Sequence, residues 1–306
     1  MRKAKPMLTL VMVSGFFVAS AAAQMPVGSA HLIPVVAKLK GALGTDWVSD
    51  VAISSLEEKD FSVSLYYFPE KTDNAFPPVF SSGVLLTEGR TTLLSDVIGT
   101  QFPSAGNSTK GMLLVMTNPT PDGTIPSPRI AVTSRTYNNA DPNRTYGQTV
   151  PSSWALVWGG GKAVLSGVRQ DSRFRTNIGV VNLSMGEPAP PRIKVRIQIY
   201  GPAGNLVQDK TMEVKSLSLE QWDLPRDLGV SSLAVGRVEV SLAPDNPGYD
   251  RCQVRTDPSA PGYAFLAYYS KVDNSSGDAE FGIGQLDWSA YEGCPQPPSG
   301  DPCQRP

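Results

Sequence analysis

The sequence predicts an all-β protein, arranged as two immunoglobulin-like β-sandwich domains in tandem after a signal peptide. Apolar and polar residues alternate with a period of two along 61–67, 193–199 and 237–242, which is typical of strands that bury one face. The 28 glycines and 27 prolines make about 18% of the 306 residues, above the usual ~12%. Many short strands separated by turn residues indicate sandwiches of immunoglobulin-like proportions.

An internal repeat supports the tandem arrangement. Around Asp50 and Asn177, an aromatic residue and a hydroxyl precede Asp or Asn, and an apolar run follows. These two positions are 127 residues apart in the sequence. Later landmarks keep a similar spacing, and they are Val63 with Val195 and Gly111 with Gly236. Such self-similarity indicates two copies of one architecture.

Residues 1–23 are predicted to be a signal peptide. Three basic residues stand among the first five, an apolar stretch covers 7–18, and three alanines at 21–23 suit a signal peptidase. The apolar stretch has about a dozen residues, fewer than the roughly 20 that a membrane-spanning helix needs. We therefore expect a secreted or periplasmic protein with no membrane span in the mature chain.

The remaining part of the chain is long enough for two domains with separate cores. We expect the first sandwich over 24–152, the second over 153–290, and a tail containing proline and cysteine over 291–306. The composition of 159–161 and 201–205 predicts two hairpin turns. The segments 93–98 and 224–228 stand at equivalent places in the two copies, and we interpret both as short segments that cross between sheets.

The charge balance excludes some classes of partner. The chain has 27 basic and 28 acidic residues, for a net charge of −1. A protein that binds nucleic acid normally carries a clear basic excess, which is missing here. The partner that we expect is an extracellular or envelope protein, or a polysaccharide, whose identity stays unknown.

Three cysteines stand in the last quarter of the chain, and an oxidising compartment predicts one disulfide and one remaining thiol. A bond between Cys294 and Cys303 would close a short loop in the tail. A bond between Cys252 and Cys294 would instead join a loop to the end of the second sandwich. Both pairings remain open. No His or second Cys stands at ligand spacing, so we predict no metal site and no cofactor.

The sequence has no arrangement typical of an active site, and we interpret the protein as non-enzymatic. Its one histidine, His31, is interpreted as a strand-edge or surface side chain. The glycines at 159–161 and Lys162 lack the upstream Gly and the following Ser or Thr of a phosphate loop. The acidic residues within 57–60 fit a solvated loop better than the separated carboxyl pair of a glycosidase.

Two binding hypotheses remain. The oxygen-rich loop 273–280 could supply about three or four ligands to calcium, but its residues are also those of a tight turn, which we favour. Aromatic side chains near the tail could stack on sugar rings, and Trp288 and Tyr291 are the first candidates for glycan contact. On that alternative the protein is a carbohydrate-binding module.

The chain resembles a group of exported bacterial proteins that have tandem β-sandwich repeats and no assigned activity. The residues that carry this resemblance are 134–138, 146–148, 174–179, 269–274 and 277–278. The resemblance covers most of the mature chain and implies no catalytic or binding residues. The segment 246–259 and the tail depart from the pattern. Together these observations favour a non-catalytic, exported structural or adhesive protein that acts through its surface.

Overall fold

The computed structural model describes residues 27–41, 44–141, 145–186, 189–247, 249, 262–287 and 289. Within these residues the chain is all-β, and its strands form three antiparallel sheets. The one α-helix of this part is α1 (Val97–Gln101). No helix there has the length and hydropathy to cross a bilayer. The predicted signal peptide and the three cysteines lie outside the described residues.

Eight strands form one sheet in the first half of the chain. They are β1 (Ala30–Lys40), β2 (Asp46–Ser55), β3 (Phe61–Pro69), β4 (Phe80–Leu86), β5 (Thr91–Leu94), β6 (Thr109–Thr117), β7 (Ile130–Asn138) and β8 (Gly147–Pro151). Their order is β4-β3-β6-β1-β2-β7-β8, and β5 also pairs with β2. Only residues 38–40 of β1 pair with β2, whereas β6 pairs along most of β1. This short β1–β2 pairing links two groups of strands in the sheet, β4-β3-β6-β1 and β5-β2-β7-β8, and we call each group a layer.

Ten strands form two sheets in the second half. They are β9 (Val157–Trp158), β10 (Lys162–Gln170), β11 (Phe174–Asn182), β12 (Ile193–Tyr200), β13 (Leu206–Val214), β14 (Leu219–Asp223), β15 (Leu233–Leu242), β16 (Ala264–Asp273), β17 (Ala279–Ile283) and β18 (Gln285–Asp287). One sheet has the order β13-β12-β15-β10-β18. The other has the order β14-β11-β16-β17, with β9 paired to β16.

The two halves have the same strand order. The layer β4-β3-β6-β1 corresponds to β13-β12-β15-β10, and the layer β5-β2-β7-β8 corresponds to β14-β11-β16-β17. The registers correspond as well, because Val63 faces Thr117 as Val195 faces Leu242. Each residue of β3, β4 and β6 therefore has a defined counterpart in β12, β13 and β15.

The connections agree only in part with the sequence predictions. The hairpin at 201–205 is confirmed, since the Gly201 amide donates to the Asn205 carbonyl at 2.9 Å. The segment 224–228 joins β14 to β15 in another sheet, as predicted, whereas 93–98 includes the end of β5 and the start of α1 and connects strands of one sheet. The predicted hairpin at 159–161 is wrong. These glycines form a turn, but β9 pairs with β16 and β10 with β15, because both flanking strands contribute apolar residues to the core from different sheets.

The buried core is continuous between the two halves. Inward residues of β2 and β3, such as Val51 and Leu65, belong to one hydrophobic cluster. That cluster also contains residues of the second half, which are Val181, Leu217, Leu219, Ala264, Leu266 and Tyr268. The second hydrophobic cluster lies within the second half and includes Ile178, Trp222 and Phe265. The outward side of β14-β11-β16-β17 is therefore buried against the first half.

Candidate interaction surface and buried polar groups

His31 is buried, so the prediction of a strand-edge or surface side chain is wrong. Its Nε2 lies 3.0 Å from the Ile130 carbonyl oxygen and its Nδ1 lies 3.0 Å from Ser152 Oγ. If Nε2 donates to the carbonyl, Nδ1 must accept the Ser152 hydroxyl. His31 and Ser152 are 1% and 4% exposed, so this Ser–His pair is closed to a substrate. Burial lowers the pKa of His31 and favours the neutral ring.

The acidic candidates act in local structure. Glu57 Oε1 accepts the Arg129 amide at 2.7 Å, which lowers the pKa of this carboxyl group. Asp60 Oδ1 accepts the Glu88 amide at 2.9 Å. These contacts join neighbouring loops at the surface. The carboxyl groups of Glu57 and Asp60 each bind a backbone amide and do not form a catalytic pair.

In the loop 273–280, the carboxylate oxygens of Asp273 are used in a turn and in an ion pair, so they are not free to bind calcium. Asp273 Oδ1 accepts the amides of Ser275 and Ser276 at 2.8 and 3.2 Å. Its Oδ2 lies 2.9 Å from Arg173 Nε. The hydrogen bond from the Ser275 amide and the one from the Arg173 guanidinium hold the pKa of Asp273 below its usual range. Across the described ranges, no group of three or more His, Cys, Asp or Glu side chains is placed to hold a metal ion.

Lys162, which follows the three glycines, is held by two carboxylates. Its Nζ lies 2.9 Å from Glu239 Oε2 and 3.4 Å from Asp287 Oδ2. The hydrogen bond to Glu239 raises the pKa of Lys162. The ammonium group is therefore part of a charged network on β10 and β15, and the glycines before it serve as a turn between two sheets.

Many of the aromatic side chains in the described ranges are in the core. Tyr67 and Tyr268 are fully buried, and Trp222 is 6% exposed. Trp154 is partly exposed, and its indole Nε1 donates to the Ala30 carbonyl at 3.2 Å. Trp288 and Tyr291, the candidates for glycan contact, lie outside the described residues. The buried rings therefore provide packing, whereas Phe76 and Tyr146 are 44% and 39% exposed.

Sequence reasoning missed the buried and half-buried charges near the junction of the halves. Lys110 Nζ and Glu70 Oε2 are 3.4 Å apart, and burial lowers the pKa of Lys110. Glu220 is 8% exposed, and desolvation raises its pKa to about 7 although Lys71 favours the ionised form. Glu220 is two residues before buried Trp222 in β14, and residues two apart in a strand lie on the same face. The alternation in the sequence could therefore have predicted that Glu220 faces inward.

The outward face of β13-β12-β15-β10 carries paired charges. Arg196 Nη2 lies 2.5 Å from Asp209 Oδ2, and Lys194 Nζ lies 2.5 Å from Asp245 Oδ2. Arg237 Nε lies 2.9 Å from Glu239 Oε1. A face with so many ion pairs is well adapted to solvent.

The corresponding face of the first half is uncharged at six equivalent positions, where it has four apolar residues and two serines that hydrogen-bond to Asn118. Its residues and their counterparts in the second half are Ser62 and Lys194, Ser64 and Arg196, Leu85 and Glu213, Met112 and Arg237, Leu114 and Glu239, and Met116 and Ser241. Towards one end of this face, Phe68 and Met112 are buried in the cluster shared with the second half. Towards the other end, Leu85 and Met116 are 67% and 36% exposed.

The exposed part of this face has neighbouring aromatic rings. The Phe76 ring lies 5.4 Å from the ring of Tyr66, between centroids, and Phe76 is partly exposed. We call the set Tyr66, Phe76, Leu85, Leu114 and Met116 the apolar face. Exposed apolar patches on folded proteins mark surfaces that bind other molecules.

No protein-family model matches the chain, and the search of curated proteins found no match either. The assignment of a function therefore depends on the chemistry of the chain's own residues.

Proposed function

We propose that the chain is a non-catalytic, exported structural or adhesive protein that acts through its surface. The observation that carries this proposal is the apolar face of the first half. Leu85 and Leu114 stand at the register positions of Glu213 and Glu239 in the second half, and both of these glutamates are ion-paired. Tyr66 and Met116 stand at the positions of Gln198 and Ser241, which are polar. Leu85 and Met116 are 67% and 36% exposed, and grouped apolar side chains at a surface favour contact with another molecule.

The architecture that we propose is two immunoglobulin-like sandwiches in tandem. The repeated strand order supports this division, with the layers β4-β3-β6-β1 and β13-β12-β15-β10 as equivalents. The resemblance to exported bacterial proteins with tandem sandwiches supports it as well. The basic and apolar residues within 1–23 support export to a secreted or periplasmic location.

The junction between the halves suits a structural role because it fixes their orientation. Asn74 Nδ2 donates to the Leu217 carbonyl at 2.9 Å, and the Asn74 amide donates to the Ser216 carbonyl at 2.9 Å. Arg192 pairs with Asp73 across the junction at 2.5 Å. The first half would therefore present the apolar face to a partner while the second half supports it from the other side of the junction. We expect this partner to be an extracellular or envelope protein, or a polysaccharide.

Retention of the mature protein on cell-envelope and extracellular fractions tests the proposal. We expect Met116→Glu to reduce retention, because it places an uncompensated charge on the apolar face. The matched control is Ser241→Glu, which adds the same charge at the counterpart position beside Arg196 and Lys162. Equal retention of the two variants, or no retention of the unaltered protein, would contradict the proposal.

A further inference from the structure

Strand β4 has a free edge. Among the described residues β3 is the only strand that pairs with β4. The seven residues of β4, Phe80–Leu86, include no charged residue and no proline. Natural sheets normally prevent edge pairing with charges, proline or bulges. The edge of β4 thus presents unpaired backbone groups that can accept another strand.

The counterpart edge strand, β13, has the charges that β4 lacks. Asp209, Lys210 and Glu213 stand at the positions of Ser81, Ser82 and Leu85. If β13 paired with itself about Thr211, Asp209 of one copy would face Glu213 of the other. Like charges directly opposite each other destabilise a strand pair. In this register the β13 edge therefore resists self-pairing, whereas the β4 edge does not.

We propose that two copies of this chain associate by antiparallel pairing of their β4 strands. The two-fold axis would be perpendicular to the sheet and would pass near Gly83, the middle residue of β4. In this register Leu85 of one copy lies opposite Ser81 of the other, and no like charges meet. This inference depends on the proposed function, because it assigns a partner to the surface of the first half.

A second copy fits this edge better than an unrelated strand for two reasons. The neutral strand is complementary to itself, and a two-fold axis uses the free backbone groups of both copies at once. The apolar faces also become continuous, since Leu85 lies on the same outward side as Met116. Because the two-fold contact uses the β4 edge of both copies, the assembly closes as a dimer.

Sedimentation analysis of the full mature chain over a range of concentrations tests the proposal. We expect a monomer–dimer equilibrium, and we expect Ser81→Asp with Leu85→Glu to weaken it by at least about tenfold, because each charge then faces a like charge. The control Val207→Glu adds one negative charge at an exposed position of β13 and should leave the dissociation constant unchanged. A monomer at every concentration, or a dimer that is equally stable in the double variant, would overturn the proposal.

Amide exchange on the unaltered protein gives a second measurement that needs no variant. We expect exchange in residues 80–86 to slow as the protein concentration rises, while residues 206–214 exchange at a constant rate. Concentration-independent exchange in 80–86 would refute pairing through β4. If the unaltered protein stays monomeric but is still retained on envelope fractions in a Met116-dependent way, the proposed function stands and only the second copy is excluded.

Discussion

At the scale of single residues, the inward polar groups have different roles. The neutral ring of His31 joins β1 to Ile130 and to Ser152, which follows β8. Its hydrogen bonds compensate for its burial. Glu220 differs, since desolvation dominates the balance at its carboxyl group and raises the pKa to about 7. This residue therefore couples the stability of the protein to pH.

We predict that Glu220→Gln increases the free energy of unfolding, relative to the unaltered protein, by more at pH 8 than at pH 4. In the unfolded chain this carboxyl group ionises near its usual pKa of 4.5, whereas in the folded protein it ionises near 7. The unfolded state is the first to lose the proton, so Glu220 destabilises the fold increasingly as the pH rises through this window. The effect reaches at most about 3 kcal/mol above pH 7.

Urea unfolding of both proteins across this pH range measures the effect. Glu88→Gln is the control, because Glu88 is an exposed glutamate in the first half. A difference between Glu220→Gln and the unaltered protein that does not change with pH would show that Glu220 is solvated in the folded state.

At the scale of strands, Gly111 and Gly236 show how the repeat is maintained. They stand at the same register of β6 and β15, each beside the end of the neighbouring strand. A Cβ atom on Gly111 would overlap with the carbonyl oxygen of Phe68, and one on Gly236 would overlap with that of Tyr200. Backbone approach at equivalent points therefore explains why glycine recurs with a spacing of 125 residues.

We predict that Gly111→Ala and Gly236→Ala each destabilise the protein by about 1–3 kcal/mol or more, because the backbone atoms must move apart. The control is Gly83→Ala in β4, where the nearest atom to an added Cβ is the Val63 carbonyl oxygen at 4.0 Å. Denaturant midpoints at low protein concentration compare the three variants. Equal midpoints for Gly111→Ala and Gly83→Ala would be inconsistent with this explanation.

At the scale of the whole molecule, the junction joins the halves through their cores and their backbones. The first hydrophobic cluster contains Leu266 and Tyr268 together with residues of β1, β3 and β6. The Lys71 amide donates to the Leu219 carbonyl at 3.1 Å, and Gln148 Nε2 lies 3.2 Å from Ser270 Oγ. Opening the junction would expose apolar surface and leave these polar groups to be solvated.

We predict that heat unfolds both halves in one cooperative transition, since neither half covers its apolar surface without the other. Calorimetry checks this prediction by comparing the measured enthalpy with the van't Hoff enthalpy, and we expect their ratio to be close to one. Arg192→Ala removes an exposed ion pair with Asp73 and should leave the transition single. Two resolved transitions in the unaltered protein would mean that the halves are energetically independent.

The sequence alone predicted the all-β class, the repeat and several turns because these depend on local features. Alternation with a period of two reports which side of a strand faces its own core. Glycine, proline and asparagine at 201–205 indicate a hairpin through local backbone preferences. The same reasoning failed at 159–161, because the sheet to which each flanking strand belongs is decided by distant partners.

Only the tertiary structure decided which outward faces are covered. Phe68 and Met112 lie on the outward side of their layer, yet they are buried in a cluster with residues of the second half. The hydrogen bond from Asn74 to the Leu217 carbonyl joins positions 143 residues apart. Strand periodicity carries no information about such contacts, because they depend on how two folded halves meet. The exposed apolar face and the free edge of β4 became visible only when the equivalent strands of the two halves were compared.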